Sequence, residues 1–150
     1  MALFRRYYVY EQIKGSLRET IFLIPEDAFR EAIANALVHR TWDVAAHINI
    51  GMFSDRIQIT SPGGLPEGIR ESDYLRGGVS ILRNPIIANV FFRLQIIEKF
   101  GTGIRRINDA YRGSLIQPTF TVSENAISLT LPVLQKKTIC ILTVRRYMPC

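Results

Sequence analysis

The chain has 150 residues, 47% of them hydrophobic, and a formal net charge of +6. That is enough apolar material for one contiguous core without disulfide or metal staples, and no apolar run approaches the roughly 20 residues of a membrane-spanning helix. Its two cysteines, Cys140 and Cys150, lie close together at the C-terminal end, which is neither a disulfide framework nor a metal-ligand spacing.

The first residues, Met1-Ala-Leu-Phe-Arg-Arg-Tyr-Tyr, lack the apolar stretch and cleavage site of a secretory signal, so a cytoplasmic location with no membrane partner is expected. The positive excess falls after residue 75, yet no run of five or six like charges occurs. An ordinary solvated basic face is the reading this favours over a nucleic-acid surface.

Tyr10, Ile13, Leu17 and Ile21 stand at helical spacing, which predicts an amphipathic helix over 7–21 serving as a connector within residues 1–24. Pro25-Glu26-Asp27 opens a second predicted helix, 26–40, with Phe29, Ile33, Ala36 and Leu37 as its buried stripe. Ile48, Ile50 and Met52, then Ile57 and Ile59, alternate with polar or small residues and predict a hairpin of strands 47–53 and 56–60. Ser61-Pro62-Gly63-Gly64-Leu65-Pro66 ends it, because two prolines remove ladder donors and two glycines permit positive φ. Residues 66–83, with Gly77-Gly78 inside, read as a partly helical, mobile excursion. Asn84-Pro85 is a cap-plus-first-turn signal for a helix over 84–98, and Gly101-Thr102-Gly103 precedes another over 103–112 that stops near Gly113. Phe120 and Val122, then Ile127, Leu129, Leu131 and Val133, predict strands 119–123 and 127–133. Thr138–Val144 fits a strand or a helix fragment, and residues 136–150 read as a tail or the start of a following module. The pattern gives one α+β domain over 25–135: a two-layer α/β sandwich with helices on one face of a mostly antiparallel mixed sheet.

Glu31 and Asn35 are one helical turn apart, about 5–6 Å between Cβ atoms, so both side chains can reach one ligand. An amide or carboxylate oxygen can hold Mg²⁺, and a carboxylate can orient a water for phosphate hydrolysis. The competing reading is a solvated Glu/Asn pair on an exposed helix edge. Gly63-Gly64 after a strand and Gly101-Thr102-Gly103 before a helix are places where backbone amides can approach phosphate oxygens, although a plain helix–helix turn explains the second equally. His39 reads as a helix-end residue pairing with the last carbonyls, His47 has no second ligand near it in sequence, and Trp42, Tyr7, Tyr8 and Tyr10 read as packing or interface residues. No Gly-x-x-x-x-Gly-Lys-Ser/Thr loop occurs, so there is no helicase motor.

An acidic helix, strand-end glycines, a long loop and a second glycine box, in that order, resemble the GHKL family of ATP-binding domains shared by gyrase, histidine kinases and MutL. Glu31-Ala-Ile-Ala-Asn35 resembles its N-box, Ser61-Pro-Gly63-Gly64-Leu-Pro its first glycine box and Gly101-Thr-Gly103-Ile104 its second. More closely, Arg30-Glu-Ala-Ile-Ala-Asn-Ala-Leu-Val-His-Arg40, Ser61-Pro-Gly-Gly-Leu-Pro-Glu-Gly68, and Leu82-Arg-Asn-Pro85 through Glu98-Lys-Phe-Gly-Thr-Gly-Ile104 resemble the carboxy-terminal domain of RecG-related transcriptional regulators. That domain usually follows an AlbA-like DNA-binding domain and often precedes a winged helix, so the chain reads as a middle piece.

The resemblance implies ATP and Mg²⁺ as cofactors. It makes Glu31 the water-orienting base and Asn35 the metal ligand, with Gly63 and Gly64 under adenine and ribose. Gly101, Thr102, Gly103 and Ile104 would meet the phosphates, and residues 66–100 would form a lid. Two positions depart from the pattern. The adenine-reading aspartate is replaced by Ser61 or its neighbour Pro62, a loss of about 1–2 kcal/mol in adenine selectivity, and the last glycine of the second box is Arg105. The implied function is a nucleotide-binding regulatory module of a DNA-associated regulator, reaching DNA through neighbouring domains. A non-enzymatic dimerisation module with a degenerate pocket and a true, weak Mg²⁺-dependent ATPase are the alternatives.

Overall fold

The computed structural model describes residues 1–77, 82–97 and 101–134. Its helices are α1 (Ala2–Tyr8), α2 (Glu26–His39), α3 (Glu71–Arg76), α4 (Pro85–Arg93) and α5 (Gly103–Ala110). Its strands are β1 (Val9–Lys14), β2 (Leu17–Phe22), β3 (Asn49–Met52), β4 (Arg56–Pro62), β5 (Thr119–Val122) and β6 (Ala126–Pro132). The last four form one sheet in the order β3-β4-β6-β5, every pair antiparallel.

Alternation in β4 and β6 decides which face is covered. Ile57, Ile59 and Ser61 on β4, and Ile127, Leu129 and Leu131 on β6, are buried, while the residues between them are only half-buried. Helix α2 lies on that face because Ala28, Ala32 and Ala36, four apart, present no bulk to the strands. Of the predicted stripe, Phe29 and Ala36 are buried, whereas Ile33 and Leu37 are half-buried and line an apolar groove with Met52, Phe91 and Ile96. Helix α5 packs alongside α2, burying Ile104 and Ile107. After it, the Tyr111 hydroxyl, fully buried, donates to the Pro132 carbonyl at 2.8 Å. The helices thus occupy one face of an antiparallel sheet, as the periodicity predicts.

The N-terminal segment differs from expectation. Residues 7–21 are not a helix: α1 ends at Tyr8, and β1 and β2 pair as an antiparallel hairpin from Val9↔Phe22 to Lys14↔Leu17. The turn is Gly15-Ser16, with Gly15 at φ 66°, a two-residue hairpin signal that a helical reading passes over. Tyr10, Ile13 and Leu17 are exposed, so no packing selects the helical alternative. Helix α1 itself joins the core, with the Phe4 ring stacked on Phe29 at 4.5 Å and the Tyr8 hydroxyl donating to the Phe53 carbonyl at 2.5 Å. Helix α4 stops at Arg93, short of the predicted 98. Within it only Ala88 is fully buried, and Ile86, Val90 and Phe92 face outward. Gly78, Glu98 and the tail 136–150, with Cys140, Cys150 and the Thr138–Val144 fragment, lie outside the described residues. No helix among the described residues is long and apolar enough to cross a membrane.

Candidate functional site

Among the described residues the buried polar or charged side chains are Glu31 and Ser61, 6% and 5% exposed; Ser61 walls an apolar cavity beside α2, and Glu31 lies one turn before Asn35 on that helix. Burying an ionisable group is costly without compensation, so Glu31 is not the solvated helix-edge residue of the competing reading. Its compensation comes from α5: Arg106 Nη1 lies 3.3 Å from Glu31 Oε2. Arg106 follows Gly103 by three residues, so both face α2. A Cβ on Gly103 would collide with the Asn35 amide and would come within 2.7 Å of Glu31 Oε1. The missing side chain is what lets the first turn of α5 touch Asn35 and Glu31 together.

Gly101 (φ 81°), Gly103, Ile104 and Asn35 line the resulting cleft, with His39, Gly64, Pro66, Ile69, Tyr74, Gly77 and Ile127 completing it. Thr102 is the N-cap residue of α5 and makes no side-chain cap hydrogen bond to that helix, whose first turn, Gly103 and Ile104, lines the cleft. Arg105 is exposed; the arginine that enters the site is Arg106. A second, more apolar cavity adjoins the first, walled by Ala32, Ala36, Ile59, Ser61, Phe120 and Leu129, with Asn35, His39, Tyr74 and Ile127 shared between the two.

The glycines after β4 serve close approach of protein to protein. Gly63 has φ 100°, donates to the Asn125 carbonyl at 2.8 Å and leaves room for Thr41 and Arg83. A Cβ on Gly64 would strike the carbonyl oxygens of Ser123 and Glu124 in the β5–β6 turn. Gly64 also borders the cleft and Gly63 does not. The Ser61 hydroxyl donates to the Ala36 carbonyl at 2.8 Å, which ties the strand end to α2 and leaves the hydroxyl able only to accept, through its two oxygen lone pairs.

His39 is not the cap of α2. The cap comes from the segment before α4: Asn84 Nδ2 donates to the carbonyls of Val38 and Arg40, both at 2.8 Å, and Arg83 Nη1 to the His39 carbonyl at 3.5 Å and to the Thr41 hydroxyl. Asn84 precedes Pro85 as predicted, yet its side chain serves α2, not its own helix. The His39 ring turns into the cleft, edge-on to Tyr74 at 6.5 Å. Burial, and then Arg83, hold its pKa below the ordinary 6.5. Tyr74 and Arg106 carry no motif of their own, and Arg83 lies in the Leu82-Arg-Asn-Pro85 stretch, which shows no partner for it in sequence; their placement arises from the tertiary crossing of α3, the 82–84 segment and α5 near α2. Trp42 is exposed with the Arg40 guanidinium 4.3 Å above its ring, and His47 lies outside the cleft residues.

No curated protein matches the sequence. The chain is similar to the crystal structure of the DIP2311 protein from Corynebacterium diphtheriae, with a TM-score of 0.76 and 25% identity over 90% of this chain. It spans only 28% of that protein's length. A family profile described as "Putative ATP-dependent DNA helicase recG C-terminal" matches residues 45–131, taking in β3 to β6, both glycine boxes and Arg106, while α2 with Glu31 and Asn35 precedes it. That span is more than half of the chain, and the protein accordingly belongs to this family of RecG C-terminal ATPase-like domains.

Proposed function

We propose that residues 25–135 form a nucleotide-binding module in which Asn35 carries the metal-dependent part of ATP affinity. The observation behind this is the convergence of Asn35 and the buried Glu31 on the first turn of α5 across Gly103. Amide donors at a helix start suit phosphate oxygens. Mg²⁺ takes few protein ligands when phosphates and water complete its octahedron, so one amide oxygen suffices. Among the described residues no group of three or more His, Cys, Asp or Glu side chains forms a separate metal cluster. The residues present therefore fit a metal held mainly by the nucleotide, with Asn35 as its protein ligand.

Glu31 is less suited to orienting a water, because Arg106 holds one of its carboxylate oxygens. The reading is thus of binding with little turnover, serving regulation in a DNA-associated protein whose DNA contacts come from other domains. A degenerate pocket used for dimerisation is the second reading, favoured by the engagement of Ser61 with Ala36. Calorimetric titration of ATP with and without Mg²⁺ separates them. Metal-assisted affinity that Asn35→Ala removes, and that Glu31→Gln retains, supports the module. Wild-type binding no tighter than about millimolar and indifferent to metal overturns it.

A further inference from the structure

The two cavities that meet beside Asn35 measure about 40 and 30 Å³, an order of magnitude below the roughly 300–1,000 Å³ of small-molecule sites. One side chain, Tyr74, borders both together with Asn35, His39 and Ile127. It comes from α3, a six-residue helix with no fully buried residue. Beyond its backbone, Tyr74 is held by packing: its ring meets His39 edge-on, and its hydroxyl has no hydrogen-bond partner among the described residues. Glycines at positive φ flank the helix, Gly68 at 81° and Gly77 at 69°; among the described residues a Cβ at Gly68 would meet nothing within 4 Å, and one at Gly77 would lie 3.9 Å from the Gly101 carbonyl. Such glycines let a short segment change direction without straining its neighbours.

We infer that Tyr74 is an intrasteric plug: its ring fills the flat slot between α2 and the β4–β6 strands, and a planar aromatic base enters only when the Gly68–Gly77 flap swings out. The inference deepens the nucleotide reading and rests on it for the identity of the ligand, but the slot itself is defined by Ala32, Ala36, Ile59 and Leu129 on apolar walls. A six-membered ring already seated there marks the slot as one for flat aromatic heterocycles. Desolvation raises the Tyr74 pKa above the ordinary 10, in keeping with an apolar slot.

The test compares wild type, Tyr74→Ala and Tyr74→Phe with three probes: indole, adenosine and ATP with Mg²⁺. If the closed flap leaves about a tenth of the protein open, Tyr74→Ala binds indole and adenosine about tenfold more tightly than wild type, and Tyr74→Phe binds as wild type does. No gain in the alanine variant overturns the plug, and so does a loss that phenylalanine restores, which would make the ring a stacking partner. A gain for indole with no ATP binding by any variant upholds the plug and removes the nucleotide reading. Tyr74→Leu, apolar but without the ring, repeats the comparison should the alanine variant lose its circular-dichroism signature.

Discussion

Gly64 and Gly103 each sit where two chain segments touch, and what they touch decides the outcome of substitution. At Gly64 an added Cβ meets backbone carbonyls, that of Ser123 at 2.7 Å, in a turn held by the β5–β6 ladder. At Gly103 it meets the ends of two side chains, which can swing away. Gly64→Ala is therefore expected to destabilise the protein by about 1–3 kcal/mol, as overpacking against rigid neighbours does. Gly103→Ala costs less and instead displaces the side-chain ends of Asn35, which lines the cleft, and Glu31 beside it. Urea midpoints read the difference, and equal midpoints would contradict the assignment of Gly64 to a backbone crossing. Arg105 and Arg106 divide on the same principle of direction: consecutive residues on a helix face about 100° apart, so one reaches the buried carboxylate while the other stays in solvent.

At the scale of elements, the C-terminal end of α2 and the start of α4 are one mechanical unit. Asn84 satisfies two terminal carbonyls of α2 that would otherwise lack partners. Asn84→Ala is expected to cost about 1–2 kcal/mol, roughly two modest hydrogen bonds, with amide exchange accelerating first at Val38–Arg40. Unchanged exchange there would assign the cap to another group. Such contacts between segments are what the sequence leaves illegible. The helices at 26 and 103 and the four sheet strands were legible because each carries its own period and punctuation, and Glu31 and Asn35 share a helix face wherever that helix goes. The burial of Glu31 and its pairing with Arg106, 75 residues on, depend on how α5 crosses α2. So does the arrival of Tyr74 beside His39. The β1–β2 hairpin differs from its helical expectation for the opposite reason: Tyr10, Ile13 and Leu17 face solvent, so their spacing records no packing constraint.

For the whole molecule, the half-buried His39 ties stability to pH. Its folded pKa lies below the ordinary 6.5, from burial first and Arg83 second. As pH falls below that value the unfolded chain takes up the proton before the folded one does, so its contribution is fully present above about pH 6.5 and is lost as pH drops through the folded pKa. His39→Gln removes that term, and its urea midpoint should fall less than that of wild type between about pH 7.5 and 5.5; parallel falls would show that His39 titrates as freely as in solvent.

Ser61 and the Ala36 carbonyl form a matched donor and acceptor. An ionised aspartate in that place brings acceptors alone, and would set a carboxylate against the helix carbonyl beneath it. A single substitution toward the acidic residue of the GHKL pattern thus passes through an electrostatic mismatch unless α2 shifts as well. Position 61 and α2 are thus coupled through a single hydrogen bond, and a change of charge at the strand end is felt by the helix above it.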